Sequence, residues 1–141
     1  MIKASLRTLA AIVLGLLAAF VLVVAVEGFS AVVHPFPDDF GGTDEELYRH
    51  VANYPQWVLA TAIPMWAVAA LVGTWVAHRI GNLYAVAMVA LLLLSALVCN
   101  LAMLPYPIWF KVASLLAIPA AIVAGTRFPG RRRTAGPGEV N

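Results

Sequence analysis

The stretch LAAIVLGLLAAFVLVVAVEGFSAVVHPFPDDF, residues 9–40, decides the fold. From Leu9 to Val26 it is unbroken by charge, and one carboxylate, Glu27, follows before the run ends near Val33. A helix needs ~20 apolar residues to cross a hydrocarbon core of ~30 Å, so Leu6 to Val33 is long enough to span. It stops at His34-Pro35-Phe36-Pro37, where each proline pushes its predecessor into extended angles. A secretory leader is the rival reading, since Lys3 and Arg7 precede the apolar core. That core is longer than the usual leader core and no small-x-small cleavage site follows, so the segment is expected to be retained.

Working outward, three further runs reach spanning length: 56–78, 82–104 and 108–126. The 141 residues are 62% hydrophobic and 11% charged, with a mean hydropathy of +0.89. A soluble domain of this size cannot bury that much apolar surface. The expected fold is therefore all-α, an integral membrane four-helix bundle over residues 1–127. A basic, disordered tail is expected over 128–141. The single cysteine, Cys99, excludes an intramolecular disulfide and reads as a small buried hydrophobe.

Charge sets the threading. Lys3, Arg7, Arg79, Arg127, Arg131, Arg132 and Arg133 fall on one side if both termini are cytoplasmic, which is seven of the nine Lys and Arg residues. Arg49 and Lys111 are left near the other face, with Asp38, Asp39, Asp44, Glu45 and Glu46. The excess of cations inside predicts cytoplasmic termini in a bacterial cytoplasmic (inner) membrane. The arginine tail suits anionic lipid headgroups. Nucleic acid is not an expected partner, because no folded basic surface or aromatic platform accompanies the tail.

The outer loop, 34–55, has room for structure of its own. Asp38-Asp39-Phe40-Gly41-Gly42 reads as a turn. Thr43 and Glu46 then stand at capping-box spacing before Leu47, Val51 and Tyr54 on one helical face. A short amphipathic helix lying on the membrane surface is expected. Phe36, Phe40, Tyr48, Trp57, Tyr106 and Trp109 belong to the same boundary as interfacial anchors, with a ligand cage built from them as the alternative.

Small residues recur every four positions: Ala11, Gly15 and Ala19; Ala69, Gly73 and Ala77; Ala113, Ala117, Ala121 and Gly125. Such ridges let helix backbones approach closely inside lipid, within the chain or against another protein. Pro64 and Pro119 interrupt the second and fourth runs, where proline either kinks a membrane helix or is simply tolerated.

Glu27 lies seven residues before His34, ~10 Å below the outer end of its helix at 1.5 Å per residue. Asn100 and Lys111 fall in the same layer. A carboxylate facing lipid is costly, so a Glu27 to Lys111 pair with Asn100 as hydrogen-bonding neighbour is expected, with His34 and His50 above it. The alternative is that Glu27 and Lys111 snorkel separately to the headgroups. The histidines lack metal-ligand spacing, so no metal is expected. No nucleophile with a base, no phosphate loop and no paired intramembrane carboxylates occur, so neither catalysis nor a cofactor is expected.

With its four helices and a glutamate in the first, the chain invites comparison with small multidrug resistance transporters. It departs from them in a longer first helix, a shallower glutamate and a loop of about 22 residues. VHPFPDDF (33–40), NYPQW (53–57) and GTWVAHRIG (73–81) more closely resemble segments of small bacterial four-helix membrane proteins of unknown function. That resemblance covers about half the chain and implies the topology, with no activity to carry over. The expected function is a non-catalytic accessory or structural subunit, packing through its small-residue ridges and its outer loop into a larger membrane assembly or against itself. The alternative is a small transporter or ligand-binding protein with an outward-facing polar pocket around Glu27.

Overall fold

The computed structural model describes residues 2–128. It is all-helical: α1 Ile2–Val33, α2 Asp44–Ala52, α3 Gln56–Ile80, α4 Leu83–Met103 and α5 Ile108–Arg127. Among the described residues there is no strand. Four of these helices, α1, α3, α4 and α5, are long and apolar enough to cross a membrane. Apart from Phe128, the expected basic tail lies outside the described residues.

Local chemistry sets the boundaries. Gly42 has φ +79°, a left-handed turn that glycine adopts without strain, and it delivers the chain to the capping box. There the Glu46 amide donates to Thr43 Oγ1 at 3.3 Å, and the Thr43 amide donates to Glu46 Oε2 at 3.1 Å. These bonds, the Thr43 backbone bond foremost, hold the Glu46 carboxyl below the usual carboxylate range. At the far end of the molecule Asn82 starts α4 by accepting from the Ala85 amide at 3.1 Å. The Asn82 amide group also donates to Thr8 Oγ1 at 2.9 Å, and Arg7 Nε donates to the Ile80 carbonyl. The beginning of α1 is thereby tied to the α3–α4 turn. Both Pro64 and Pro119 lie within helices that continue through them.

Central to the packing is α3, which contacts α1 and α5 extensively and α4 less, while α4 and α5 barely meet. The α1–α3 crossing is made by two of the small-residue ridges. Ala11, Gly15 and Ala19 are all buried, as are Ala69, Gly73 and Ala77. A methyl added at Gly15 would stand 2.8 Å from the Gly73 carbonyl oxygen. The fourth run behaves differently. Its buried face is Phe110, Ser114, Ile118, Ile122 and Gly125, and Ala113, Ala117 and Ala121 are only half-buried beside it. Gly125 alone makes the close approach, since a methyl there would sit 2.6 Å from the Leu71 carbonyl oxygen. Thr74, fully buried, returns its hydroxyl to the Ala70 carbonyl at 2.8 Å, as small polar residues do where helices pack tightly. Cys99, read from sequence as buried, is exposed on α4. An apolar run gives no sign of which side faces the other helices and which faces lipid.

Candidate functional site

Toward the α2-bearing end, α1 presents Glu27, Ser30 and His34 at i, i+3 and i+7, one above another on a single face. Two adjoining cavities surround Glu27. The larger, about 180 Å³, lies between Val23 and Glu27 of α1, Trp66, Ala69 and Ala70 of α3, Leu93, Ala96, Leu97 and Asn100 of α4, and Ile118 of α5. All four long helices contribute to it. Its wall is apolar except for the Glu27 carboxylate, the Trp66 indole N–H and the Asn100 amide. Trp66 Nε1 and Asn100 Oδ1 are buried without a hydrogen-bond partner in the protein, which is costly for polar atoms unless a ligand or water meets them. Glu27 and Ala96 are its exposed members, so its mouth lies on the flank between α1 and α4. The expected pocket opened outward; this one opens sideways.

The smaller cavity, about 20 Å³, adjoins it nearer α2 and is lined by Glu27, Ser30, Tyr54, Trp66 and Tyr106 among others. The Ser30 side chain neighbours the Tyr54 hydroxyl and the Asn100 side chain that of Tyr106, and each acts to lower its phenol's pKa. Burial, followed by the Glu27 charge, raises both phenols above the ordinary range, so each keeps its proton. Aromatic packing fixes Tyr106: its ring lies 4.7 Å from Phe110 and 6.4 Å from Trp66.

Above Tyr54 the chain stacks His34 on His50, ring centroids 4.4 Å apart, and Phe36 on the other side of His50 at 4.2 Å. Tyr54 lies 4.7 Å from His34 and 5.4 Å from His50. Nε2 of each histidine is buried and without a partner in the protein. Burial, then the neighbouring His34, pushes His50 below the ordinary imidazole range, against a bond to the His34 backbone that raises it. The sign follows. A base whose folded pKa is depressed adds stability above its unfolded value of ~6.5, and that stability is lost as pH falls through the folded value. Amide exchange along α2, corrected for intrinsic rates, is therefore expected to speed up between about pH 7 and pH 5. His50→Phe should flatten that change; equal pH dependence in both proteins would refute it.

Of the expected polar cluster, Glu27 and Asn100 share a cavity, and His34 stands above it with Tyr54 between. Lys111 is absent from both cavities. Among the described residues the ion pair is Arg49 with Glu45 at 3.4 Å, and none joins Glu27 to Lys111. Depth along a helix put the two in one layer, but Phe110, fully buried, takes the inward position on α5, and the next residue is turned ~100° away. Trp66, Tyr54 and Tyr106 belong to the site and were not assigned to it from sequence. The available signal was Trp66 itself, an indole N–H in the middle of a spanning run, where a polar atom needs a partner. Comparison of the chain with protein-family models, curated proteins and solved structures gives no match.

Proposed function

We propose that this chain is a multi-pass protein of the bacterial cytoplasmic membrane, both termini cytoplasmic, that binds small lipophilic organic cations in the cavity around Glu27. One observation carries the reading: a single carboxylate lines an otherwise apolar cavity of about 180 Å³ beside the unpartnered Trp66 Nε1 and Asn100 Oδ1. Apolar cavities of about 150 Å³ hold benzene, so a benzyl-sized group fits. The carboxylate offsets a positive charge, and the Trp66 ring offers a cation an aromatic face. A mouth on the flank suits a ligand that partitions into lipid first.

The test is binding of benzyltrimethylammonium to the purified full chain in mild detergent, followed by tryptophan fluorescence and calorimetry. Saturable binding at one site per chain is expected. Ala96→Leu, at the exposed mouth, should weaken it by roughly tenfold or more, about 1.4 kcal/mol, with the helical spectrum unchanged. No binding by the wild type, or unchanged binding by Ala96→Leu, would reject the site.

The accessory-subunit reading rests on the absence of catalytic motifs from the sequence and gives the small-residue ridges and the outer loop as its contact surfaces. The ridges of α1 and α3 meet each other within the chain, which leaves half-buried Ala113, Ala117 and Ala121 of α5 as the ridge for a partner. Co-purification of a stoichiometric membrane partner that is lost on Ala117→Leu would favour that reading over cation binding.

A further inference from the structure

Away from its charge, the larger cavity makes two opposite demands. Trp66 Nε1 is buried with no hydrogen-bond partner among the described residues, and an indole N–H only donates. Asn100 Oδ1 is buried and unpartnered too, and an amide oxygen only accepts. Both residues line the cavity, from α3 and α4, while Glu27 holds its carboxylate at the exposed mouth. The rest of the lining is alkyl, from Val23 of α1 to Ile118 of α5, and answers neither atom. Water can meet both demands, and a cavity of about 180 Å³ admits several molecules. A wholly apolar group that displaces this water strands a donor and an acceptor at once, and each stranded atom counts against binding. A hydroxyl does not, since one O–H both donates and accepts.

We infer that the cations this cavity selects are arylalkyl ammonium ions carrying a hydroxyl on the ring, with the ammonium at Glu27 and the hydroxyl inside, between Asn100 Oδ1 and Trp66 Nε1. The ammonium half rests on the cation-binding reading; the hydroxyl half stands on the two unpartnered atoms alone. Size agrees with the assignment. The cavity's volume of about 180 Å³ exceeds the ~150 Å³ that accepts benzene, which leaves space for an oxygen on the ring. Discrimination of this kind is strong. A site built to hydrogen-bond a hydroxyl rejects the analogue that lacks it far more firmly than an apolar pocket rejects a missing methylene, because the buried polar atoms are then left unpaired. Asn100 and Trp66 are thereby the specificity-determining residues, and Glu27 supplies the charge that any cation of the right size would use.

The test compares affinities of the purified full chain in mild detergent by calorimetry at about pH 7, where the ammonium is charged and the phenol neutral. Tyramine and its meta-hydroxy isomer are set against phenethylamine, which has the same skeleton and charge without the hydroxyl. One of the two hydroxylated ions should bind roughly tenfold or more tightly than phenethylamine. Asn100→Leu, which keeps the bulk and removes the acceptor, should lower that ratio by about threefold or more, and so should Trp66→Phe, which keeps a ring and removes the N–H. A ratio that either well-folded variant leaves unchanged would overturn the inference. The wild-type comparison needs no variant to fold: saturable binding of all three amines with equal affinity overturns the hydroxyl preference and leaves the cation-binding reading in place. The neutral pair, an ethylphenol against ethylbenzene, separates the two ideas in the other direction. If no amine binds and an ethylphenol outbinds ethylbenzene by the same ratio, the cation-binding reading falls and the hydroxyl site stands. Binding of none of these compounds overturns both.

Discussion

Gly73→Leu is expected to eliminate the folded monomer in detergent, and Gly73→Ala to lower its stability by about 1–3 kcal/mol, the usual cost of overpacking. At this position even a methyl would lie 2.8 Å from Ala19 Cβ and 2.9 Å from the Gly15 carbonyl oxygen, closer than real side chains come. Neither neighbour can yield: one is the stub of a buried alanine and the other is backbone of a spanning helix. Relief requires α1 and α3 to separate. Separation would undo the contacts at Ala11, Ala19, Ala69 and Ala77, all buried in the same seam, because helix association within lipid depends on close packing. Gly28→Ala is the control. It sits in α1, the other helix of the seam, with nothing within 4 Å of an added methyl, so alanine there should be neutral or stabilising by up to ~1 kcal/mol through helix propensity. Thermal unfolding followed by circular dichroism and size-exclusion profiles decides the matter. Equal stabilities for Gly73→Ala and Gly28→Ala would mean that the α1–α3 seam does not hold the molecule together.

Glu27→Gln should weaken benzyltrimethylammonium binding by about ten- to a hundredfold. A charge-assisted interaction in a partly desolvated site contributes about 1.5–3 kcal/mol, and each 1.4 kcal/mol is a factor of ten. Glutamine keeps the size and polarity of the side chain, so the loss would report charge. A neutral isostere that replaces the quaternary nitrogen by carbon supplies the control: its affinity should be the same for wild type and Glu27→Gln. If the cation binds both proteins equally, the carboxylate is not its partner. Lys111→Met is expected to leave binding and stability unchanged, because Lys111 lines neither cavity and among the described residues no ion pair joins it to Glu27. A strong destabilisation rescued in Glu27→Gln/Lys111→Met would restore the ion pair that the sequence suggests.

The two sides of the seam show how far sequence reading reached. Ala11, Gly15 and Ala19 in α1 and Ala69, Gly73 and Ala77 in α3 were visible as ridges, yet their four-residue spacing is the same whether a ridge faces its own chain or another. The ridge at Ala113, Ala117 and Ala121 had identical spacing and remains half-buried, displaced by a face led by the bulkier Phe110, Ile118 and Ile122. In the site, Glu27 and Asn100 were named because a charge and an amide stand out within apolar runs. Tyr106 reads from sequence as an interfacial anchor and Tyr54 as part of an amphipathic face, and nothing but its indole N–H sets Trp66 apart from the apolar run around it.

By itself the sequence determined the four long helices, their near-correct limits, the capping box at Thr43 and Glu46, and the depth of Glu27 along α1. Each of these is local: burial in lipid scales with the apolar content of one segment, and caps and prolines act within a turn. Only the tertiary structure decided that Gly15 meets Gly73, that Lys111 turns away from Glu27 while Asn100 and Trp66 turn toward it, and that the cavity opens on its flank. Those outcomes depend on the rotation of each helix about its axis, and where lipid and protein interior are equally apolar, hydropathy cannot fix that rotation. Contact between shaped surfaces does.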